Sequence, residues 1–142
     1  MNTPLHIAVA GLGTVGAGTL KLLQTQGEML RQRCGRPIVV AAVSARDKGR
    51  DRGVDLDGME WHDDAAAMAA QSGADVVVEL IGGADGVAKA VCEAAIASGK
   101  HVVTANKALL AHHGTALALA AEAKGVSLGF EAAVAGGVPI IK

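Results

Sequence analysis

Aromatic residues are almost missing from this chain. Of its 142 residues one is tryptophan, one is phenylalanine and none is tyrosine. Hydrophobic residues still make up 51% of it, so Val, Ile, Leu and Ala have to fill the core. That composition suits buried parallel strands covered by alanine-rich helices. An excess of charge is lacking too. The formal net charge is −1, whereas a nucleic-acid or membrane-surface protein needs a basic surplus. Cysteine is scarce: Cys34 and Cys92 stand alone, without C-x-x-C or Cys/His ligand spacing, and read as reduced structural thiols of a cytosolic protein. His6, His62, His101, His112 and His113 form no H-x-x-x-H pair, so no zinc site is expected. The apolar stretch Ile7 to Ala10 follows no charged segment and is too short for a signal peptide. No uncharged apolar run approaches the ~20 residues of a membrane helix. The expected location is therefore the cytoplasm. The length suits one domain with a real core and is too short for two.

What is present is a repeated alternation of apolar strand and helix. A first strand over Leu5 to Ala10 runs straight into Gly11-Leu12-Gly13-Thr14-Val15-Gly16 and then a helix. This is G-x-G-x-x-G in the context it requires. Gly11 allows the tight turn, Gly13 leaves room for a pyrophosphate against the backbone, and Gly16 lets helix and strand pack closely. The free N–H groups and dipole of the helix start then hold the phosphate charge. The helix is expected to run from about Thr14 to Arg33, weakened in its later part by Gly27. A second strand is expected over Ile38 to Val43, and Ser44 to Gly58 reads as a polar loop. Asp63 or Asp64 caps a short Ala-rich helix that ends before Gly73.

Further along, Ala74 to Ile81 reads as a third strand, followed by a helix from about Gly86 to Ser98 with Gly99 as its stop. His101 to Thr104 is another strand. Lys107 opens the next helix, which ends at Gly125, and Val126 to Phe130 is the last strand. The spacing is that of βαβ units. The expected fold is α/β: a Rossmann-type doubly wound parallel sheet with helices on both faces. The apolar end Pro139-Ile140-Ile141-Lys142 has no terminal cap and reads as a cut rather than a natural end.

Ligands of such sheets bind beyond the carboxyl ends of the strands. After the second strand, NAD-preferring domains place an acidic residue for the adenine ribose. Here the segment reads Val43-Ser44-Ala45-Arg46. Arg46 suits a 2′-phosphate instead, with Ser44 adding a hydroxyl and Lys48 or Arg50 adding field, which tilts the reading toward NADP with NAD still open. Asp47, Asp51, Asp55 and Asp57 interleave with these basic groups, so a solvated loop is the competing reading. Glu79, in an apolar strand, either sits near the nicotinamide or caps backbone groups of a neighbouring turn; the second is slightly favoured. Lys107 at a strand's carboxyl end binds substrate or cofactor or assists proton transfer, since the helix dipole there disfavours an idle cation. Glu131 with the Gly-rich turn to Val138 suits a hard cation or a hinge; spacing alone favours the hinge. His112 and His113 read as surface or packing residues.

Taken together, these residues resemble the N-terminal part of homoserine dehydrogenase. The resemblance rests on Gly11 to Gly16, Ser44-Ala-Arg46, Val78-Glu-Leu-Ile-Gly-Gly83, Thr104-Ala-Asn-Lys107 and Phe130-Glu-Ala-Ala-Val-Ala-Gly-Gly-Val-Pro139. It implies NAD(P)-dependent interconversion of L-homoserine and L-aspartate 4-semialdehyde, toward threonine, methionine and isoleucine. By position, Leu12, Thr14 and Val15 would line the cofactor, Arg46 would face the adenine ribose, and Lys107 would lie near nicotinamide and substrate. Glu131 with the carbonyls of Val134, Gly136 and Val138 matches a monovalent-cation site such as one for Na⁺, which lifts that reading above the bare hinge. Family members continue into a substrate domain with the main catalytic acid/base groups. Residues 1–142 therefore read as an isolated cofactor-binding domain with little or no turnover of its own. A small amino-acid substrate and homo-oligomerisation are expected of the full-length protein. The alternatives are a related oxidoreductase, such as an aspartate or another semialdehyde dehydrogenase, and a non-catalytic dinucleotide-sensing module.

Overall fold

Each β-branched apolar run of the chain becomes a strand, and each Ala/Leu-rich segment after it becomes a helix, in a computed structural model that describes residues 3–139. The strands are β1 (Leu5–Ala10), β2 (Ile38–Ser44), β3 (Glu60–His62), β4 (Val76–Glu79), β5 (His101–Thr104) and β6 (Leu128–Gly129). All pair in parallel, in the order β3-β2-β1-β4-β5-β6. The expected doubly wound sheet is what forms.

The helices are α1 (Thr14–Thr25), α2 (Gly27–Cys34), α3 (Ala65–Gln71), α4 (Val87–Ala97) and α5 (Lys107–Lys124). Right-handed crossovers decide which face each takes. From β1 the chain winds outward through β2 to β3, then returns to β4 and winds the other way, so the covering helices change face. Alternation along β1 shows the result. Ile7 and Val9 pack with Leu20 of α1 and Val43 in one core. Ala8 and Ala10 point oppositely, into a larger core with Met68 of α3, Val91 of α4 and Leu109 and Leu117 of α5. Alanine at 8, 10 and 42 keeps that face flat enough for the helices to lie close.

Local signals set the element ends. The Asp64 side chain accepts the N–H groups of Ala66 and Ala67 and starts α3. Asn106 does the same for α5 by accepting the Leu109 N–H at 3.0 Å. Gly125, at φ 67°, ends α5 in the left-handed conformation that favours glycine.

Four expectations need correction. The helix expected over Thr14 to Arg33 breaks at Gln26 into α1 and α2, because the backbone there leaves the helical region (φ −113°, ψ 12°) just ahead of Gly27. Strand β3 was not expected; it pairs through only three residues, Ala42–Glu60, Val43–Trp61 and Ser44–His62. Strand β4 is half the length expected, since the chain turns at Glu79. The final strand shrinks to Leu128–Gly129, and Glu131–Ala133 forms a 3-10 turn. The loop after β2 is also less solvated than its composition suggests: Val54, Leu56 and Met59 pack on the α1-side core. The uncapped end at Ile140 to Lys142 lies outside the described residues. Among the described residues no helix is long and apolar enough to cross a membrane.

Candidate functional site

The winding reverses between β1 and β4, and the loops after β1, β2, β4 and β5 gather at their carboxyl ends. The glycines after β1 have three different reasons to be glycine. Gly11 has φ 98°, and a Cβ on it would stand 2.7 Å from the Leu80 carbonyl oxygen, so the turn beside β4 admits no side chain. A Cβ on Gly16 would come within 1.9 Å of the Gly11 carbonyl oxygen, which is the close helix–strand approach expected there. A Cβ on Gly13 would meet nothing within 4 Å. Nothing in the fold requires glycine at 13; open space above it is what glycine leaves.

Helix α1 begins at that open space with no side-chain cap and no acidic residue in its first turn. The N–H groups of Thr14, Val15 and Gly16 find no acceptor among the described residues. Unpartnered N–H groups at a helix start favour an anion, so these residues fit a phosphate. Thr14 and Val15 are exposed beside the cradle, whereas the Leu12 side chain is only 4% exposed and sits in the core. Leu12 therefore offers the site its backbone.

At the end of β2, Ser44 is buried and its carbonyl accepts the Gly11 N–H at 2.9 Å. Arg46 lies beyond it, exposed. The nearby carboxylates are largely engaged in their own turns: Asp47, Asp51 and Asp55 accept the N–H groups of Gly49, Gly53 and Asp57. None of Arg46, Lys48 and Arg50 is ion-paired among the described residues.

Glu79 is fully buried, yet each of its oxygens is satisfied. Oε1 accepts the Ile81 N–H at 2.7 Å and the Gly82 N–H at 3.2 Å, and Oε2 accepts the Thr104 hydroxyl at 2.6 Å. Thr104 Oγ1 in turn accepts the Asn106 N–H, and Asn106 Nδ2 donates to the Gly83 carbonyl at 2.6 Å. The slightly favoured reading of Glu79 as a cap of a neighbouring turn agrees with this geometry. The network staples the loop after β4 to the loop after β5. Thr104 and Asn106 were in view only as part of a motif, and the cue to their role was an Asn at a helix start. Lys107 follows in the first turn of α5, exposed.

Elsewhere, Glu131 lies in the 3-10 turn, and the carbonyls of Glu131 and Ala135 accept the N–H groups of Val134 and Val138. The carbonyls of Val134, Gly136 and Val138 accept none among the described residues. His113 bonds Asp85 at 2.7 Å, which joins α5 to the loop before α4. Burial, with the charges of Glu79 and Glu93, pushes the Cys92 thiol up to about 12, an inert structural group.

The comparisons with known proteins agree with this geometry. A family model described as the NAD-binding domain of homoserine dehydrogenase matches residues 11–131. The homoserine dehydrogenase of Pseudomonas aeruginosa is 45% identical over 139 residues, covering 98% of this chain and 31% of that protein. A crystal structure of the enzyme from Thiobacillus denitrificans superposes with a TM-score of 0.88 at 44% identity, over 99% of this chain and 32% of that one. A hyperthermophilic archaeal homoserine dehydrogenase in complex with NADPH shares the fold at a TM-score of 0.78 and 20% identity, over 98% of this chain and 47% of its own. The chain spans about a third of the length of the curated relatives it matches. It belongs to the family of homoserine dehydrogenase NAD-binding domains.

Proposed function

We propose that this chain is the cofactor-holding part of an enzyme that interconverts L-homoserine and L-aspartate 4-semialdehyde. The observation that carries the reading is the open cradle over Gly13, faced by the unpartnered N–H groups of α1 at the switch in strand order. When bound, the dinucleotide supplies hydride transfer at its nicotinamide ring. The chain's own residues bind and orient. Gly11 to Gly16 hold the pyrophosphate, with Thr14 and Val15 beside it. Arg46, above Ser44, meets the adenine ribose end. Lys107 holds the substrate or the nicotinamide end, at the start of α5, just after a loop fixed by Glu79, Thr104 and Asn106.

NADP is the proposed cofactor over NAD. What supports it is the exposed Arg46, where an acidic residue would face a 2′-hydroxyl, with Lys48 and Arg50 nearby and none of the three in an ion pair among the described residues. A monovalent cation such as Na⁺ is proposed at Glu131 with the carbonyls of Val134, Gly136 and Val138. The support is that these three carbonyls accept no hydrogen bond among the described residues and lie in the same turn segment as the Glu131 carboxylate. Residues 1–142 act as one cofactor-binding domain. The substrate domain, the main acid/base residues and the homo-oligomer contacts belong to the longer protein, placed in the cytoplasm.

Titration of this chain with NADPH and NADH tests the reading. NADPH is expected to bind about tenfold or more tightly than NADH, and Arg46→Ala is expected to remove most of the difference. An NADPH preference that survives Arg46→Ala refutes the assignment of Arg46. No binding of either dinucleotide refutes the cofactor reading.

A further inference from the structure

One basic residue of the loop after β2 is turned inward. Arg52 is half-buried, and its Nε donates to the Leu12 carbonyl at 3.1 Å, within the glycine loop. Its Nη1 donates to the Arg50 carbonyl at 2.8 Å and its Nη2 to the Asp47 carbonyl. The guanidinium carbon stands 5.6 Å from the centroid of the Trp61 ring, and Lys48 Nζ stands 6.0 Å from the same ring. One side chain thus gathers carbonyls from two loops and lies over the Trp61 ring of β3.

The two halves of this loop are held differently. Its downstream half is anchored by Val54, Leu56 and Met59 in the core and by Gln24, whose amide donates to the Asp55 carbonyl at 2.6 Å. Its upstream half, which carries Arg46, Lys48 and Arg50, has turns of its own at Asp47 and Asp51. Those turns shape the segment, which among the described residues touches the rest of the fold only through Ala45 on the α1-side core and Lys48 over the Trp61 ring. The hydrogen-bonded tie is Arg52. A planar guanidinium with five donors reaches three carbonyls in different directions while it lies over a ring; a lysine ammonium cannot.

We infer that Arg52 is a positioning residue, which locks the basic loop to the glycine loop and so sets the distance between the pyrophosphate cradle and the side chains that select a 2′-phosphate. This rests on the cofactor reading above. Arg52 itself is spent on carbonyls and acts through Arg46 and Arg50. Loosening it therefore costs the 2′-phosphate contact more than the pyrophosphate contact, which the glycine loop makes by itself.

The test is titration of the wild-type chain, Arg52→Lys, Arg46→Ala and the double variant with NADPH and NADH. Amide exchange of the unliganded proteins accompanies it. Arg52→Lys is expected to weaken NADPH binding about tenfold and NADH binding by less than about threefold. The double variant is expected to bind NADPH no more weakly than Arg46→Ala alone, because one residue acts through the other. Exchange at residues 47–52 is expected to quicken while that of β1 and β4 stays slow, which also shows that the variant folds. Equal losses for both dinucleotides, or unchanged exchange at 47–52, overturn the inference. An NADPH preference that depends on Arg46 but not on Arg52 overturns it while leaving the cofactor reading intact. A wild-type chain that binds neither dinucleotide, or prefers neither, overturns both.

Discussion

Replacing Gly13 and Gly16 by alanine, one at a time, separates what the glycine loop does for the fold from what it does for a ligand. At Gly16 a methyl group would stand 1.9 Å from the Gly11 carbonyl oxygen and 2.8 Å from its carbon. Both are backbone atoms of the turn after β1, which is itself packed against the Leu80 backbone, so relief requires moving the turn. Overpacking of this kind costs about 3 kcal/mol, and at roughly 3 °C per kcal/mol for a domain of this size the melting temperature falls by about 10 °C. At Gly13 the new methyl meets nothing within 4 Å, and the backbone (φ −76°, ψ −157°) is one alanine adopts freely. The loss of a favoured cap residue and the gain from a stiffer unfolded chain nearly cancel, so stability changes by less than about 0.5 kcal/mol. A phosphate seated there is displaced, however. Losing one or two hydrogen bonds to a charged group, at ~1.5–3 kcal/mol, weakens dinucleotide binding ~10–100-fold. Thermal melts and calorimetric titration of the two variants read both quantities. A Gly13→Ala protein that melts like the wild type and binds like it would refute the cradle.

Three further outcomes concern Glu79 and the two cysteines. Glu79→Gln keeps an acceptor for the Ile81 and Gly82 N–H groups but turns an NH2 toward the Thr104 hydroxyl, so denaturant unfolding should show a loss of about 1–2 kcal/mol; no loss would mean the staple is unimportant. Cys34 is exposed and Cys92 buried, so a thiol reagent at pH 8 should label Cys34 quickly and Cys92 only on unfolding. The same Cys92 thiol, raised from 9.0 to about 12, stays protonated in the fold while the unfolded chain ionises. Its contribution is therefore intact below about pH 9 and is lost as pH rises from there toward about 12, which Cys92→Ala should flatten in a stability–pH profile.

Much of this architecture is legible in the order of residues, for a physical reason. Strand β1 is an apolar run that ends at a glycine, and burial of four successive residues leaves little ambiguity in it, whereas β5 shows through its Val-Val pair although only alternate residues are buried. β3 is different: Glu60-Trp61-His62 has no periodicity to read, and it becomes a strand because the edge of β2 is there to pair with it. The break at Gln26 was announced only by the weak signal of Gly27, since the leucines before and after it keep a helical spacing. At the site, glycines announce themselves because their conformational demands are local. Glu79 had two readings until its partner across 25 residues of sequence, the Thr104 hydroxyl, came into contact. Arg52 was invisible for a stronger reason. Its acceptors are main-chain carbonyls, and every residue has one.

The central place of β1 also bears on how the molecule is made. β1 leaves the ribosome before the other strands of the sheet, yet its second flank is filled by β4, some seventy residues later, and the start of α5 with Lys107 comes later still. At ~5–20 residues per second, β1 waits roughly 3–15 s with one edge open while β2 already lies against the other. The crevice at the switch in strand order is thus a seam between an early half and a late half of the sheet. A ligand that touches both halves reports completion of the sheet, and anything that delays the return to β4 leaves Val9 and Ile7 beside an unpaired edge.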